Sequence, residues 1–428
     1  MSQTNAKNEV TLHIDALSYG PYGIGRVDHR VWMVPHTAPG DTVIARLTGE
    51  RERYSIGEIV RTVSPSDARR TPPCAYAGTC GGCAWQHLDY PTQLKAKQQS
   101  VDDALRRIGK LTAYDLRPIV PAAEEYHYRR RIRLQVGPGN QLGFYGASSH
   151  QLVEIASCLI ADDRLNRIVK RLRQWARGLN TIIDHVEIVT GDELRQTVVV
   201  VRAGNTIPDE PACANLIDPE AGLTGLIVAG PNRRKVWGDP TITVSLPEDL
   251  SLRVAADVFT QVNPEGNRRV IEALLAAGEL QPGDRVLELF CGAGNLTLPM
   301  ARRAGAVVAV EGDRQSIHDA RLNAQRNAID NIRWVCAPVP QTLARLKKRG
   351  EEFTKIVLDP PRAGAKGVAA DLAALGAAGV FYVSCNPTTL ARDLAALAKH
   401  GYKLGMVQPI DLFPQTFHVE TLAVVKKS

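Results

Sequence analysis

Residues 284–295 read DRVLELFCGAGN and decide the fold. Their first half is an apolar run with the length of a buried strand, and it leads directly into a loop with glycines at 292 and 294. Glycine lets the backbone approach a ligand at the start of a helix, and a helix is predicted from Leu296. A dinucleotide fingerprint would need a third glycine where the chain has Thr297. The stretch therefore predicts a strand–loop–helix unit with a ligand site of another kind.

Strands and helices alternate outward from this stretch, from residue 263 to the end of the chain. The predicted helices are 267–278, 296–304, 314–328, 366–377 and 388–400, and the predicted strands are 285–290, 306–310, 355–359, 379–383 and 417–425. This alternation predicts a C-terminal domain over residues 263–428 with a doubly wound, Rossmann-like α/β parallel sheet.

An acid at the end of the second strand extends the prediction of a ligand site. Glu311 follows the apolar run 307–310, about 20 residues after the glycine loop, where folds of this type hydrogen-bond ribose hydroxyls. Strand, glycine loop, helix, strand and acid form the layout of an S-adenosylmethionine site. For the loop alone, the alternative is a plain βα turn with an exposed carboxylate.

Two further strand ends carry reactive side chains. Asp359 begins Asp-Pro-Pro-Arg after the apolar strand 355–358, and Cys385 lies in Ser-Cys-Asn-Pro after the apolar run 379–383. Open α/β sheets bind ligands at the carboxyl ends of their strands, so both residues are candidate site residues. The alternatives are a helix cap for Asp359 and a small buried hydrophobe for Cys385.

Two more candidates flank this sheet. Gln261 lies in Phe-Thr-Gln-Val-Asn at the entry to the domain, where its amide could bind a ligand. His418 and Glu420 are expected on one face of the last strand, because side chains alternate with period two. A surface carboxylate is the alternative for Glu420.

The N-terminal part predicts a small β-barrel domain, TRAM- or OB-like, over residues 1–66. Its short strands are expected at 10–17, 25–27, 31–34, 41–47 and 56–63, punctuated by glycine and proline. Arginines recur along it, and Tyr19, Tyr22 and Tyr54 are expected to be exposed. Such barrels bind single-stranded nucleic acid.

Residues 67–262 predict a central α+β domain that contains a cysteine-rich loop. Cys74, Cys80 and Cys83, with Cys158 farther along, give four thiols at metal-site spacing, and the glycines between them allow a tight loop. An iron–sulfur cluster and structural zinc both fit this spacing. The residues alone predict a metal site and leave its kind open.

Composition places the chain among soluble proteins with an anionic partner. No stretch approaches the roughly 20 apolar residues of a membrane span, and no signal peptide begins the chain, so we expect a cytoplasmic protein. Residues 1–150 hold 19 Lys and Arg against 14 Asp and Glu, residues 151–260 hold 12 against 15, and the remainder 21 against 16. Two basic ends favour nucleic acid held between two surfaces, with scattered solvated charge as the alternative.

With these motifs in this order, the chain resembles the RNA uracil-5-methyltransferases, in particular the subgroup with a TRAM domain and an iron–sulfur cluster. The resemblance implies a 4Fe-4S cluster bound by the four cysteines named above, and packing of residues 91–118 on the methyltransferase domain. It implies Cys385 as nucleophile and Glu420 as base. The residues that it implies for S-adenosylmethionine binding are Gln261, Phe290, Asn295, Glu311 and Asp359.

The resemblance also implies a substrate, a uridine of 23S ribosomal RNA in a loop, bound by a monomer without an obligate protein partner. The arginine-rich run 128–133 could grip its phosphates, with alternate exposed arginines on a strand as the alternative. A transfer-RNA uridine is the second candidate. Methylation of an adenine amino group and a non-enzymatic iron–sulfur RNA sensor are alternatives of other classes. Neither needs a cysteine adduct.

Overall fold

The computed structural model describes residues 9–204 and 207–427, so residues 1–8 of the predicted barrel domain lie outside the described residues. The first five strands close into a barrel in the order β1-β2-β3-β5-β4, which confirms the predicted small barrel. Alternate side chains such as Ile14, Trp32 and Val43 fill its interior. The strands are β1 (Glu9–Leu17), β2 (Tyr22–Val27), β3 (Arg30–Pro35), β4 (Thr42–Glu50) and β5 (Tyr54–Ser64).

The tyrosines of the barrel are not exposed as predicted. Tyr19, Tyr22 and Tyr54 are all half-buried. Tyr19 lies in the turn after β1, and this turn packs on the rest of the molecule, where the indole of Trp85 donates a hydrogen bond of 3.2 Å to the carbonyl of Gly20. A contact that is distant in sequence therefore covers an aromatic ring that the local pattern places in solvent.

The central region forms a seven-stranded sheet with two helices packed on it. The strand order is β13-β12-β11-β10-β7-β8-β9, and β14 and β15 form a separate hairpin. In chain order, the elements from the cysteine-rich loop onward are α1 (Tyr90–Arg107), β6 (Asp115–Leu116), β7 (Arg131–Gly137), β8 (Gln141–Tyr145), β9 (Leu152–Val153), α2 (Asp163–Arg177), β10 (Ile183–Thr190), β11 (Thr197–Ala203), α3 (Glu210–Leu216), β12 (Leu223–Gly230), β13 (Arg233–Gly238), β14 (Thr241–Ser245) and β15 (Ser251–Ala255).

The C-terminal part is the predicted Rossmann-like domain. Its eight-stranded sheet has the order β18-β17-β16-β19-β20-β22-β21-β6, and the first five strands are parallel. The elements are α4 (Pro264–Gly278), β16 (Arg285–Leu289), α5 (Thr297–Ala301), β17 (Ala306–Glu311), α6 (Arg314–Arg326), β18 (Ile332–Cys336), α7 (Val339–Lys348), β19 (Lys355–Leu358), α8 (Ala369–Ala374), β20 (Gly379–Ser384), α9 (Pro387–Ala398), β21 (Tyr402–Ile410) and β22 (Glu420–Lys427).

The sheet departs from the predicted parallel arrangement at β22, which lies between β20 and β21. β22 runs antiparallel to both β20 and β21, and it begins at Glu420 rather than at residue 417. His418 therefore precedes the strand, and the period-two argument that paired it with Glu420 is wrong. Because β22 runs backwards, its first residue lies beside the last residues of the parallel strands: Ser384 of β20 pairs with Thr421.

Residues between the barrel and the central sheet complete the C-terminal sheet. β6 pairs in parallel with β21, and the buried face of α1, including Val101 and Leu105, packs into the core under the parallel strands. Lys97 of α1 is fully buried and donates a hydrogen bond of 2.6 Å to Asp411, which is also fully buried. In the part of the chain that the structure describes, no helix is long and apolar enough to cross a membrane.

Candidate active site

The carboxyl ends of four parallel strands gather most of the predicted site residues at one edge of the sheet. Phe290 follows β16, Glu311 ends β17, Asp359 follows β19 and Cys385 follows β20. Strand pairing makes these neighbours, since Leu289 pairs with both Val310 and Leu358. β22 adds Glu420 to the same edge because it runs in the opposite direction.

The glycine loop and Glu311 form one hydrogen-bonded unit. The backbone N–H of Gly292 donates to one carboxylate oxygen of Glu311 at 3.1 Å, and the other oxygen accepts from Gly312 at 2.6 Å and Asp313 at 2.9 Å. Gly292 has a positive φ of 54° and nothing within 4 Å of where a Cβ would lie. The backbone is therefore open to a ligand here, as the sequence predicted.

Phe290 and Asn295 border this loop. Phe290 has a φ of 64°, a left-handed conformation that is strained for a bulky residue and that turns the chain sharply out of β16. The amide of Asn295 pairs reciprocally with that of Asn267 on α4, with both hydrogen bonds at 2.8 Å. This pair fixes the start of α5 against α4.

Gln261 lies just before α4, at the junction with the central sheet. It borders a small cavity between the central sheet and the start of α4, together with Arg130, Arg131 and Asp192. The neighbouring Asn263 caps α4, since its side chain accepts a hydrogen bond from the N–H of Gly266. Gln261 is thus placed at the predicted entry to the domain.

Buried carboxyl groups dominate the electrostatics of the edge. Burial raises the pKa of Asp359 to about 7. The pKa of Glu420, whose side chain is 3% exposed, is raised well above its ordinary value by burial and by Asp359, with Arg362 opposing the shift. These carboxyls hold protons far more tightly than ordinary acids do, because water does not solvate their charged forms.

Cys385 shares this environment. Burial raises the pKa of its thiol to about 11, the charges of Glu420 and Asp359 add to the increase, and Arg362 lowers it. Without substrate the thiol is therefore protonated at neutral pH. The charge of Glu420 is thus one cause of the raised pKa of the Cys385 thiol, which shows that the two side chains lie close enough to interact.

The sequence prediction did not place three residues at this edge that the structure brings there. Arg362 follows Asp-Pro-Pro, and its guanidinium lies 3.5 Å from the ring of His418. Glu288 of β16 is buried with a pKa raised to about 8 by burial, and one of its oxygens has no hydrogen-bond partner among the described residues. Tyr19 reaches the edge from the barrel. The sequence carries a signal for Arg362, because this cation directly follows Asp-Pro-Pro. No local sequence pattern marks Tyr19.

Three arginines of the run 128–133 form ion pairs within the protein. Arg131 and Arg133 both pair with Glu187, at 2.7 Å and 2.6 Å, and Arg130 pairs with Asp192. These ion pairs stabilise the central sheet internally. The prediction that this run grips phosphates is therefore not supported for these three side chains.

The four cysteines of the second set line one cavity of about 230 Å³. Burial raises the pKa of Cys83 to about 12, and the charges of Cys158, Cys80 and Cys74 add to this increase, which places the four thiols near one another. Within residues 9–204 and 207–427, no group of three or more His, Cys, Asp or Glu side chains is arranged to hold a metal ion. The four cysteines of the predicted metal site thus line one cavity, and the described residues do not show a metal site there.

Comparison with known proteins decides the family. Residues 89–428 match the family described as tRNA (Uracil-5-)-methyltransferase. An uncharacterized RNA methyltransferase of Thermosynechococcus vestitus is 33% identical over 98% of both chains. The 23S rRNA (uracil(1939)-C(5))-methyltransferase RlmD of Vibrio cholerae is 32% identical over 97% of this chain and 95% of its own.

This chain belongs to the RNA uracil-5-methyltransferase family. The resemblance seen in the sequence is confirmed at that level, and the protein is an enzyme of this class. A solved structure shows the same fold: the Pyrococcus abyssi tRNA (uracil-54, C5)-methyltransferase in complex with S-adenosyl-L-homocysteine covers 97% of this chain with a TM-score of 0.74 and 22% identity. In this uracil-5-methyltransferase, the candidate residues for methyl transfer lie at the sheet edge.

Proposed function

We propose that this enzyme methylates C5 of one uridine in 23S ribosomal RNA with S-adenosylmethionine as donor, acting as a monomer. The observation that carries the proposal is the pairing of β20 with the antiparallel β22, which places the Cys385 thiol beside the buried carboxyl of Glu420. Relatives named for 23S ribosomal RNA, from Vibrio cholerae and Haemophilus parainfluenzae, match this chain over nearly its full length and support the substrate.

The proposed chemistry begins with the thiol. C5 of uracil is a poor nucleophile, and addition of the Cys385 thiolate to C6 converts the ring into an enolate. C5 then takes the methyl group from the sulfonium, which leaves as S-adenosylhomocysteine. Glu420, as carboxylate, removes the C5 proton, the electrons of that bond form the C5–C6 double bond, and the C6–S bond breaks to restore the cysteine.

The electrostatics of the edge support these roles. A raised pKa makes Glu420 a stronger base, once it is ionised, than an ordinary carboxylate. Arg362 lowers the pKa of the Cys385 thiol and favours the thiolate that must form. The target base must also leave its stack to present C5 and C6 to the protein, which favours a loop uridine.

The residues of the glycine loop fit the donor. We propose that Phe290, Asn295, Glu311 and Asp359 hold S-adenosylmethionine at the sheet edge, with Gln261 reaching the site from the domain entry. The buried, unpartnered oxygen of Glu288 is an acceptor suited to the positively charged amino group of such a ligand. The open backbone at Gly292 leaves room for close approach of the donor.

We propose a 4Fe-4S cluster, rather than zinc, for the cysteine cavity. A single zinc ion would need all four sulfurs at about 2.3 Å from one centre. A cube of iron and sulfide is wider, and a cavity of about 230 Å³ lined by Cys74, Cys80, Cys83 and Cys158 has room for it. A cluster bound there would tie the cysteine-rich loop to the central sheet. We assign it a structural role, because the proposed methyl transfer needs no redox step.

Mapping of 5-methyluridine tests the substrate. Ribosomal and transfer RNA from a strain that lacks this protein should show loss of one 5-methyluridine in 23S RNA, restored by the purified enzyme. An unchanged 23S profile with loss of a transfer-RNA methyluridine would reassign the substrate. Retention of activity in Cys385→Ser would remove the adduct mechanism and favour amino-group methylation, which needs no thiol.

A further inference from the structure

The barrel contributes a side chain to the catalytic edge. Tyr19, in the turn after β1, donates a hydrogen bond of 3.1 Å from its hydroxyl to the backbone carbonyl of Cys385, 366 residues away in sequence. Tyr19 is half-buried, and so is Cys385. A residue of the N-terminal barrel therefore touches the backbone of the proposed nucleophile itself.

Aromatic packing holds Tyr19 in this position. Its ring meets Phe417 edge to face, with centroids 5.6 Å apart at 84°, and Phe417 in turn lies 6.5 Å from the fully buried Trp85. The indole of Trp85 returns to the same barrel turn through its hydrogen bond to Gly20. The tyrosine is thus enclosed on more than one side, so its hydroxyl reaches Cys385 from a fixed direction.

The turn that carries the thiol is held at both of its ends. On one side Ser384 belongs to β20 and is paired with β22. On the other, the side chain of Asn386 caps α9 by accepting a hydrogen bond of 3.0 Å from the N–H of Thr388. Tyr19 binds the residue between these anchors. Burial, and then the charge of Cys385, raise the pKa of Tyr19, so the hydroxyl keeps its proton and remains a donor.

We propose that Tyr19 is a positioning residue for the nucleophile: by holding the Cys385 carbonyl, it fixes the turn that aims the thiol at C6 of the bound uracil. This inference rests on the proposed function of Cys385. It means that the barrel completes the active site, in addition to any RNA that its outer surface binds. Small errors in the aim of a nucleophile are costly, since near-attack geometry contributes much of the rate of such additions.

Replacement of Tyr19 by phenylalanine in the full chain tests this role, because it keeps the ring and removes only the hydroxyl. With a 23S fragment that carries 5-fluorouridine, we expect the rate of covalent adduct formation at saturating RNA to fall roughly tenfold, the upper range for one hydrogen bond. The RNA concentration at half-maximal rate should stay unchanged. Alkylation of Cys385 by iodoacetamide, followed by mass spectrometry, should stay within about twofold of wild type, since the thiol remains chemically intact.

The matched control is Tyr22→Phe, three residues along the same hairpin, where the hydroxyl forms no hydrogen bond among the described residues. It should react like wild type. An equal adduct rate in Tyr19→Phe and Tyr22→Phe would overturn the positioning role alone. A loss that appears only as weaker RNA binding, or only with a lower melting temperature, would assign Tyr19 to docking of the barrel instead. Absence of any adduct in the wild-type enzyme would overturn the proposed chemistry and this inference together.

Discussion

Two groups of cysteine in this enzyme show how surroundings decide what a thiol can do. Cys385 lies among acids and one cation, with Glu420, Asp359 and Arg362 all acting on its pKa. The thiol of Cys83 lies instead among other thiols, in a cavity that also holds Cys158. Burial raises the pKa in both places. Only the first has a proton acceptor beside it, and only the second has several soft donors, so we expect covalent chemistry at one and cluster binding at the other.

Loss of the nucleophile should have the largest effect. In Cys385→Ser we expect methyl transfer to fall by at least about 10⁴-fold, because the hydroxyl does not add to C6 as a thiolate does. Transfer of labelled methyl from S-adenosylmethionine to 23S fragments measures it. Cys213→Ala, in the core of the central sheet domain, is the control and should retain activity. Equal losses in the two variants would show that the effect of Cys385→Ser is not specific to the proposed nucleophile.

Removal of the proposed base should stall the reaction after the adduct. In Glu420→Gln we expect product release to fall by roughly 10³-fold while a methylated covalent complex accumulates, because the amide cannot take the C5 proton. Denaturing gels with uridine RNA detect that complex. Glu272→Gln, on the exposed side of α4, serves as control. Slow turnover without accumulation of the methylated complex would show that Glu420 acts before the thiol adds to C6.

The pH dependence of adduct formation tests the environment of Cys385. Because burial raises the pKa of Cys385 to about 11, the thiolate is a minor species below that pH. The rate of adduct formation should therefore rise with pH, about tenfold per pH unit between roughly pH 7 and 10. Initial rates with 5-fluorouridine RNA across this range measure it. A plateau near pH 8.5 would show that the thiol ionises as an ordinary cysteine.

The cavity cysteines should affect stability more than chemistry. In Cys83→Ser, purified without oxygen, we expect loss of iron and a melting temperature lower by roughly 10 °C, since loss of a metal site is among the large single-site effects. Iron analysis, visible absorption and calorimetry measure these changes. Cys385→Ser should keep the iron and the melting temperature. Iron-free wild-type protein with full stability would remove the cluster from the proposal.

Local sequence predicted much of the fold. The alternation of apolar runs after residue 263 and the short strands of the barrel are properties of neighbouring residues, and both predictions are confirmed. The sequence predicts no bounds for β18, because it is an edge strand whose residues are only half-buried or exposed and whose apolar pattern is therefore weak. The sequence also does not predict the antiparallel direction of β22, because strand direction depends on pairing partners rather than on composition.

The site was predictable where one strand end carries the signal and unpredictable where distant segments meet. Asp359 and Cys385 follow apolar strands, and strand pairing then places them together. The contact between Tyr19 and Cys385 depends on how the barrel docks. The period-two argument for His418 and Glu420 failed because β22 starts only at Glu420. Glu420 reaches the sheet edge because β22 runs antiparallel to its neighbours. The roles assigned to these residues remain predictions.

The buried pair between Lys97 and Asp411 also bears on how the enzyme is made. The two residues lie 314 positions apart, so during translation the lysine emerges long before its partner exists. A buried ammonium without its carboxylate is costly, and α1 therefore has no stable place in the core until residue 411 has been synthesised. β6 likewise cannot pair until its neighbour β21, which ends at Ile410, has been synthesised. We expect the nascent chain to hold its barrel and central sheet first, and to acquire a working catalytic edge only as its last strands leave the ribosome.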